Sequence, residues 1–77
     1  MSRKFKILDV RPILAIGAEP FSKIRESIDA LGDNEGLSVI APFLPSPLIE
    51  KIGSEGFESR VERQPGGSWI VQFWRDE

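Results

Sequence analysis

The chain contains no cysteine, no histidine and no tyrosine. Without cysteine there is no disulfide framework, no thiolate nucleophile and no thiolate metal site. Without histidine the commonest general base and the commonest zinc and haem ligand are missing as well, leaving carboxylates, which suit hard cations only when clustered. No carboxylate cluster with metal-loop spacing occurs, so no metal and no cofactor are expected. No serine stands with a recognisable general base, so no catalytic residue is assigned and an enzyme is not expected. Nor is there an excess of one charge: ten Lys and Arg against twelve Asp and Glu leave a net charge of −2. The charges are interleaved, with no basic stripe to neutralise phosphates, so nucleic acid is not an expected partner. No apolar run approaches the ~20 residues of a membrane span, and the run behind the basic Ser2-Arg3-Lys4 breaks at Asp9 and Arg11, short of a signal core. A cytoplasmic protein with no membrane partner is expected.

What is present is an ordinary globular composition in 77 residues, 40% hydrophobic and 29% charged. A chain this short buries only ~60% of its unfolded surface, which supports a single domain over residues 1–77 with one core. Phe5 to Val10 reads as a strand with Phe5 and Ile7 on one face and Lys6, Leu8 and Val10 on the other, stopped at Arg11-Pro12. A loop to Ala18 follows. Phe21, Ile24, Ile28 and Leu31 at helical spacing predict a helix from about Glu19 to Leu31, with Pro20 at its first position and Gly32 closing it in a left-handed conformation. Asp33 to Gly36 reads as a solvated turn and Leu37 to Ala41 as a second, central strand.

After the stiff segment Pro42-Phe43-Leu44-Pro45, Ser46 is placed to cap a second helix starting at Pro47, with Leu48, Ile49 and Ile52 on its buried side. Gly53 weakens this helix and Gly56 can end it. Phe57 to Arg63 is a charged strand suited to a sheet edge. Gln64-Pro65-Gly66-Gly67-Ser68 is a hairpin loop, and Trp69 to Arg75 the last and most apolar strand. The order β-α-β-α-β-β predicts an α/β two-layer sandwich of the α+β kind, with both helices on one face of a mixed four-stranded sheet.

Leu8-Asp9-Val10-Arg11, followed by Glu19-Pro20 opening a helix, resembles the start of the TusA/SirA group of small sulfur carriers. That group reads Leu-Asp-x-Arg-Gly, then Cys-Pro-x-Pro. The final Pro of the motif falls on Pro20, its variable position on Glu19, its first Pro on Ala18 and its nucleophilic Cys on Gly17; Pro12 stands where the group has Gly. The chain is more similar still to an uncharacterised bacterial family of Cys-less relatives, sometimes fused to hemerythrin-like domains. The resemblance implies a SirA-like strand order 1-2-4-3, which suits the charged third strand at an edge and the apolar fourth inside. It also implies that no persulfide is carried, because Gly17 stands in the place of the thiol.

Two binding surfaces are expected. In a β-α-β-α arrangement the helix starts and the parallel strand ends share one edge of the domain, where Asp9, Arg11, Gly17, Glu19, Pro20 and Phe43 are candidates for a small-ligand, anion-type site. The plainer roles for three of them are a helix-start carboxylate for Glu19 and a local ion pair for Asp9 and Arg11. The other surface is the uncovered sheet face. With Leu8, Val10, Val39, Val71 and Phe73 turned inward, that face carries Phe5, Ile7, Ile40, Ile70 and Trp74, unless Arg60, Gln72 or the N-terminal residues cover it. Trp69 has the inward parity and is expected in the core. The favoured function is a non-catalytic protein-interaction or self-associating module, with a protein partner or a weak homodimer. The alternatives are anion binding at the helix starts and an accessory role in sulfur relay without a thiol of its own.

Overall fold

The structure is a computed structural model that describes residues 3–75. Its elements are β1 (Lys4–Asp9), α1 (Arg11–Ala15), α2 (Phe21–Asp29), β2 (Glu35–Ala41), α3 (Ser46–Gly53), β3 (Glu58–Arg63) and β4 (Trp69–Trp74). The four strands form one mixed sheet in the order β1-β2-β4-β3, with β1 parallel to β2 and the other two pairings antiparallel. This is the order that the resemblance implies.

The alternation in each strand decides which face is covered. Register places Leu8, Val39 and Val71 in one row across the sheet, with Leu37 beside Phe73 in the next. Leu37, Val39, Val71 and Phe73 are fully buried, and together with Val10, Ile24, Ile28, Ala41, Ile52 and Phe57 they make the core. Ile24 and Ile28 come from one stripe of α2, and Ile52 from α3, flanked by half-buried Leu48 and Ile49. The buried face therefore has the expected parity.

Several local expectations are corrected. Arg11-Pro12 does not lead into a loop but opens a five-residue helix, Arg11–Ala15, in which Pro12 sits in the first turn, where its missing N–H costs nothing. Helix α2 is shorter than its apolar periodicity suggests, ending at Asp29, and Pro20 is its cap and not its first residue. Gly32 is not left-handed: Asn34 takes that conformation at φ 63°, and β2 begins one residue later, inside the expected turn. Ser46 lies within α3 and makes no capping hydrogen bond; Pro45 precedes the helix. The hairpin is as read, with Gly66 and Gly67 at φ 90° and 91° and the Gln64 N–H donating to the Ser68 carbonyl over 2.8 Å. Trp69 has inward parity but is only half-buried, at the sheet end beside Ala41, with the Arg63 guanidinium 5.8 Å from its ring. Trp69 belongs neither to the buried core nor to the half-buried side chains packed against it.

Candidate functional site

Where β1 and β2 end, the chain builds an apolar cleft of about 300 Å³. Val39 and Ala41 form its floor from β2, Ile24 and Phe21 one wall from α2, and Pro45, Pro47 and Leu48 the other from the start of α3. Val10, Leu14, Pro20 and Phe43 complete it, so every lining side chain is apolar. The geometry follows from the connections. Parallel strands with helical crossovers bring both helix starts to the strands' C-terminal end, the usual location of ligand sites in such sheets. Proline at 42, 45 and 47 stiffens the link to α3, and Phe43 stays 52% exposed at the rim, close in sequence to exposed Leu44. Phe21 and Ile16 are exposed as well.

Of the ligand candidates read from sequence, only Pro20 and Phe43 line this cleft. Asp9 and Arg11 are occupied with each other. The Arg11 N–H and Nε donate to Asp9 Oδ1 at 3.0 and 2.9 Å, and Nη2 donates to Oδ2 at 2.7 Å. These bonds hold the Asp9 carboxyl below its ordinary range, chiefly through the Arg11 side chain. Arg11 Nη1 also donates to the Ser68 hydroxyl at 3.2 Å, tying the end of β1 to the hairpin.

Glu19 caps α2. Its carboxylate accepts from the Phe21 and Ser22 N–H groups and from the Ser22 hydroxyl, the last at 3.0 Å. Desolvation pushes its pKa up, but the Ser22 and Phe21 hydrogen bonds outweigh that and hold it low. A carboxylate on those amides leaves no room there for an anion. Gly17 is exposed at φ 77°, its N–H donating to the Leu14 carbonyl, with open space where a Cβ would stand. The signals missed in the sequence are Pro45 and Pro47, the one read as part of a stiff segment and the other as a helix start, which with Phe43 line one side of the cleft.

The five residues expected on the uncovered sheet face do share it, but in separate groups. Phe5 and Trp74 meet at one end, ring centroids 6.2 Å apart and nearly perpendicular, with Gly36 between their strands. A Cβ on Gly36 would stand 2.4 Å from the Phe5 ring, so glycine makes that seat possible. The Arg3 guanidinium lies 5.6 Å from the Trp74 ring centre and covers part of it. At the other end Ile40 pairs with Ile70. Between them runs the row Ile7, Ser38, Gln72 and Arg60, polar in three of its four positions.

No helix among the described residues is long and apolar enough to cross a membrane, and no three carboxylates among them are grouped to hold a metal ion. Residues 7–75, nearly the whole chain, match the model of a family described as an uncharacterized conserved protein, DUF2249. No curated protein and no solved structure matches the chain.

Proposed function

We propose that this chain, which belongs to the DUF2249 family, is a non-catalytic protein-interaction module that receives an apolar side chain of its partner in the cleft between α2 and α3. The observation that carries this reading is the cleft's lining, apolar at every position and including the exposed rings of Phe21 and Phe43, with exposed Leu44 next in sequence. Exposed apolar surface gathered in one place marks an interaction site, and an anchor that fills a desolvated pocket dominates the affinity of such contacts. A volume of about 300 Å³ holds one or two large side chains and stands at the small end of ligand pockets. Anion binding is the less favoured reading, since Glu19 takes the α2 amides and Arg11 is paired with Asp9.

The resemblance to TusA/SirA carriers supports a narrower version, an accessory role in sulfur relay. Gly17 stands at the motif's thiol position, exposed and three residues beyond the cleft residue Leu14. Any thiol used there would be the partner's.

The test is photo-crosslinking in the cells the chain comes from, with a photoreactive phenylalanine at position 43 and a control at Glu62 on β3. The expected result is a discrete protein adduct from position 43 alone, lost when Phe21→Ser is added. Adducts of equal yield from both positions, or none from position 43, would overturn the reading.

A further inference from the structure

The two outer strands of the sheet are defended unequally. In β3 all six residues are exposed and four, Glu58, Arg60, Glu62 and Arg63, are charged, which discourages pairing by another strand. In β1 three of six residues, Lys4, Lys6 and Asp9, are charged, but the side chains that alternate with the lysines, Phe5 and Ile7, are apolar. The Lys4 N–H donates to the Asn34 carbonyl and the Val10 N–H to the Ile40 carbonyl, so the even-numbered residues direct their backbone groups at β2. By alternation, the N–H and C=O groups of Phe5, Ile7 and Asp9 point out of the sheet. No strand among the described residues pairs with that side of β1. Helix α2 does not cover it either: a groove of about 260 Å³ stays open between Lys6, Ile7 and Leu8 of the strand and Glu26, Ser27 and Ala30 of the helix. Ile7, in the middle of this edge, is 73% exposed.

We infer that β1 pairs antiparallel with β1 of a second copy, joining two four-stranded sheets into one continuous sheet of eight. The occupant is argued from the strand's own pattern. On the uncovered face the residues run Arg3, Phe5, Ile7, Asp9: a cation, two apolar side chains and an anion whose carboxylate, already bonded to its own Arg11, keeps lone pairs for a second guanidinium. Such a run is complementary to itself when reversed. With the two-fold axis at Lys6, Arg3 stands opposite Asp9 of the second copy and Phe5 opposite Ile7, and Phe5 and Ile7 are the residues whose free backbone groups exchange hydrogen bonds. A shift by one pair in either direction sets Phe5 against Asp9 or Ile7 against Arg3, an apolar side chain against a charge in both cases. Parallel pairing would place like charges together at both ends. On the other face the two Lys6 side chains meet at the axis, each offset by its own Glu35, whose carboxylate is 3.5 Å from the ammonium. This surface lies away from the cleft, so the inference stands or falls independently of the reading above.

The experiment is sedimentation across a wide concentration range, paired with amide hydrogen exchange at the two extremes. The expected result is a reversible dimer in which the Phe5, Ile7 and Asp9 amides, fast at low concentration, become slow at high concentration. Ile7→Lys should weaken dimerisation by about tenfold or more, with an unchanged denaturant midpoint at concentrations where both chains are monomeric. Phe43→Ser, at the cleft, should leave the dimer intact. A monomer at all concentrations would overturn the inference. So would a dimer whose Phe5, Ile7 and Asp9 amides stay fast, or one that Phe43→Ser dissolves. Protection of those amides only after an extended peptide is added would also refute the second copy as occupant.

Discussion

The two ends of this small sheet are held together by different forces. At the end where β1 and β2 begin, side-chain ion pairs link separate elements. Arg25 of α2 donates two hydrogen bonds to Glu55, thirty residues away in the turn after α3, at 2.6 and 2.5 Å, and Lys6 of β1 reaches Glu35 of β2. A depression of about 270 Å³ there carries Asp29, Asp33, Glu35, Glu55 and Arg75, with Arg75 stacked 4.5 Å from the Phe57 ring centre. At the end where the parallel strands finish, the charged contacts are mostly local, Asp9 with Arg11 and Glu19 with Ser22, and what meets across elements is apolar. Charge that is satisfied within the fold leaves a surface well solvated, whereas apolar side chains without enough core to enter leave one that is only partly buried. In a domain of this size the second situation is what makes a binding surface available.

Breaking a wall of the cleft should have the largest effect on stability. Ile24→Ala removes a side chain that is 3% exposed and belongs at once to the cleft wall and the core, and it should cost ~2–4 kcal/mol in urea melts. A cost near zero would mean that the wall is not packed and the cleft is part of a wider opening. At the opposite end, Gly36→Ala should cost ~1–3 kcal/mol, because the new methyl group meets the Phe5 ring and stands 2.8 Å from the Phe73 carbonyl oxygen. Displacing Phe5 from Trp74 should also change the tryptophan fluorescence.

The charged end is sharpened by pH. Hydrogen bonds from Arg25 hold the Glu55 carboxyl below its ordinary range. Since its folded pKa lies under its unfolded one, the stabilisation is complete at neutral pH and is lost as pH falls through the depressed value. Asp9 and Glu19 are held low as well, but by neighbours two or three residues away that the unfolded chain keeps close. Glu55→Gln should therefore flatten the acid limb of stability more than Asp9→Asn does, in melts stepped from neutral pH to below the carboxylate range. Equal flattening would show that the link across elements adds nothing beyond local pairing. The smallest change in stability belongs to the cleft rim: Phe43→Ser should shift the melt by no more than ~0.5 kcal/mol while reducing the enhancement of an apolar fluorescent dye. A larger loss of stability would place Phe43 in the core and remove it from the binding surface.

Legibility in the sequence followed the range of the forces involved. The strands were readable because alternation is a local pattern: Leu37, Val39 and Ala41 against Ser38 and Ile40 give the buried face whatever the neighbours are. Glycines at 66 and 67 marked the hairpin for the same reason. Helix α1 was not readable, since five residues are too few for a 3.6-residue period to show, and the Arg11-Pro12 step looked only like a strand stop. Ile24 and Ile28 were legible as the inward stripe of α2, but its ends were displaced by Glu19, which caps from one residue before Pro20, and by Asn34, which takes the left-handed turn in place of Gly32.

By itself, the sequence determined the chemistry that is excluded and the alternation that chose the sheet's inner face. A chain with neither cysteine nor histidine has neither a thiolate nor an imidazole to use, and side-chain parity in a strand is set by backbone geometry alone. Tertiary structure decided where an apolar side chain ends up. Val39 and Trp69 share a face of the sheet, yet Val39 lies under the helices and is fully buried, while Trp69 sits at the sheet end, half-buried, with Arg63 stacked against its ring. The cleft is likewise assembled from the β1 end, α1, α2, β2 and the start of α3, and no local pattern in any one of them marks it. Burial depends on what packs from elsewhere in the chain, and that is settled only when the helices cross the sheet.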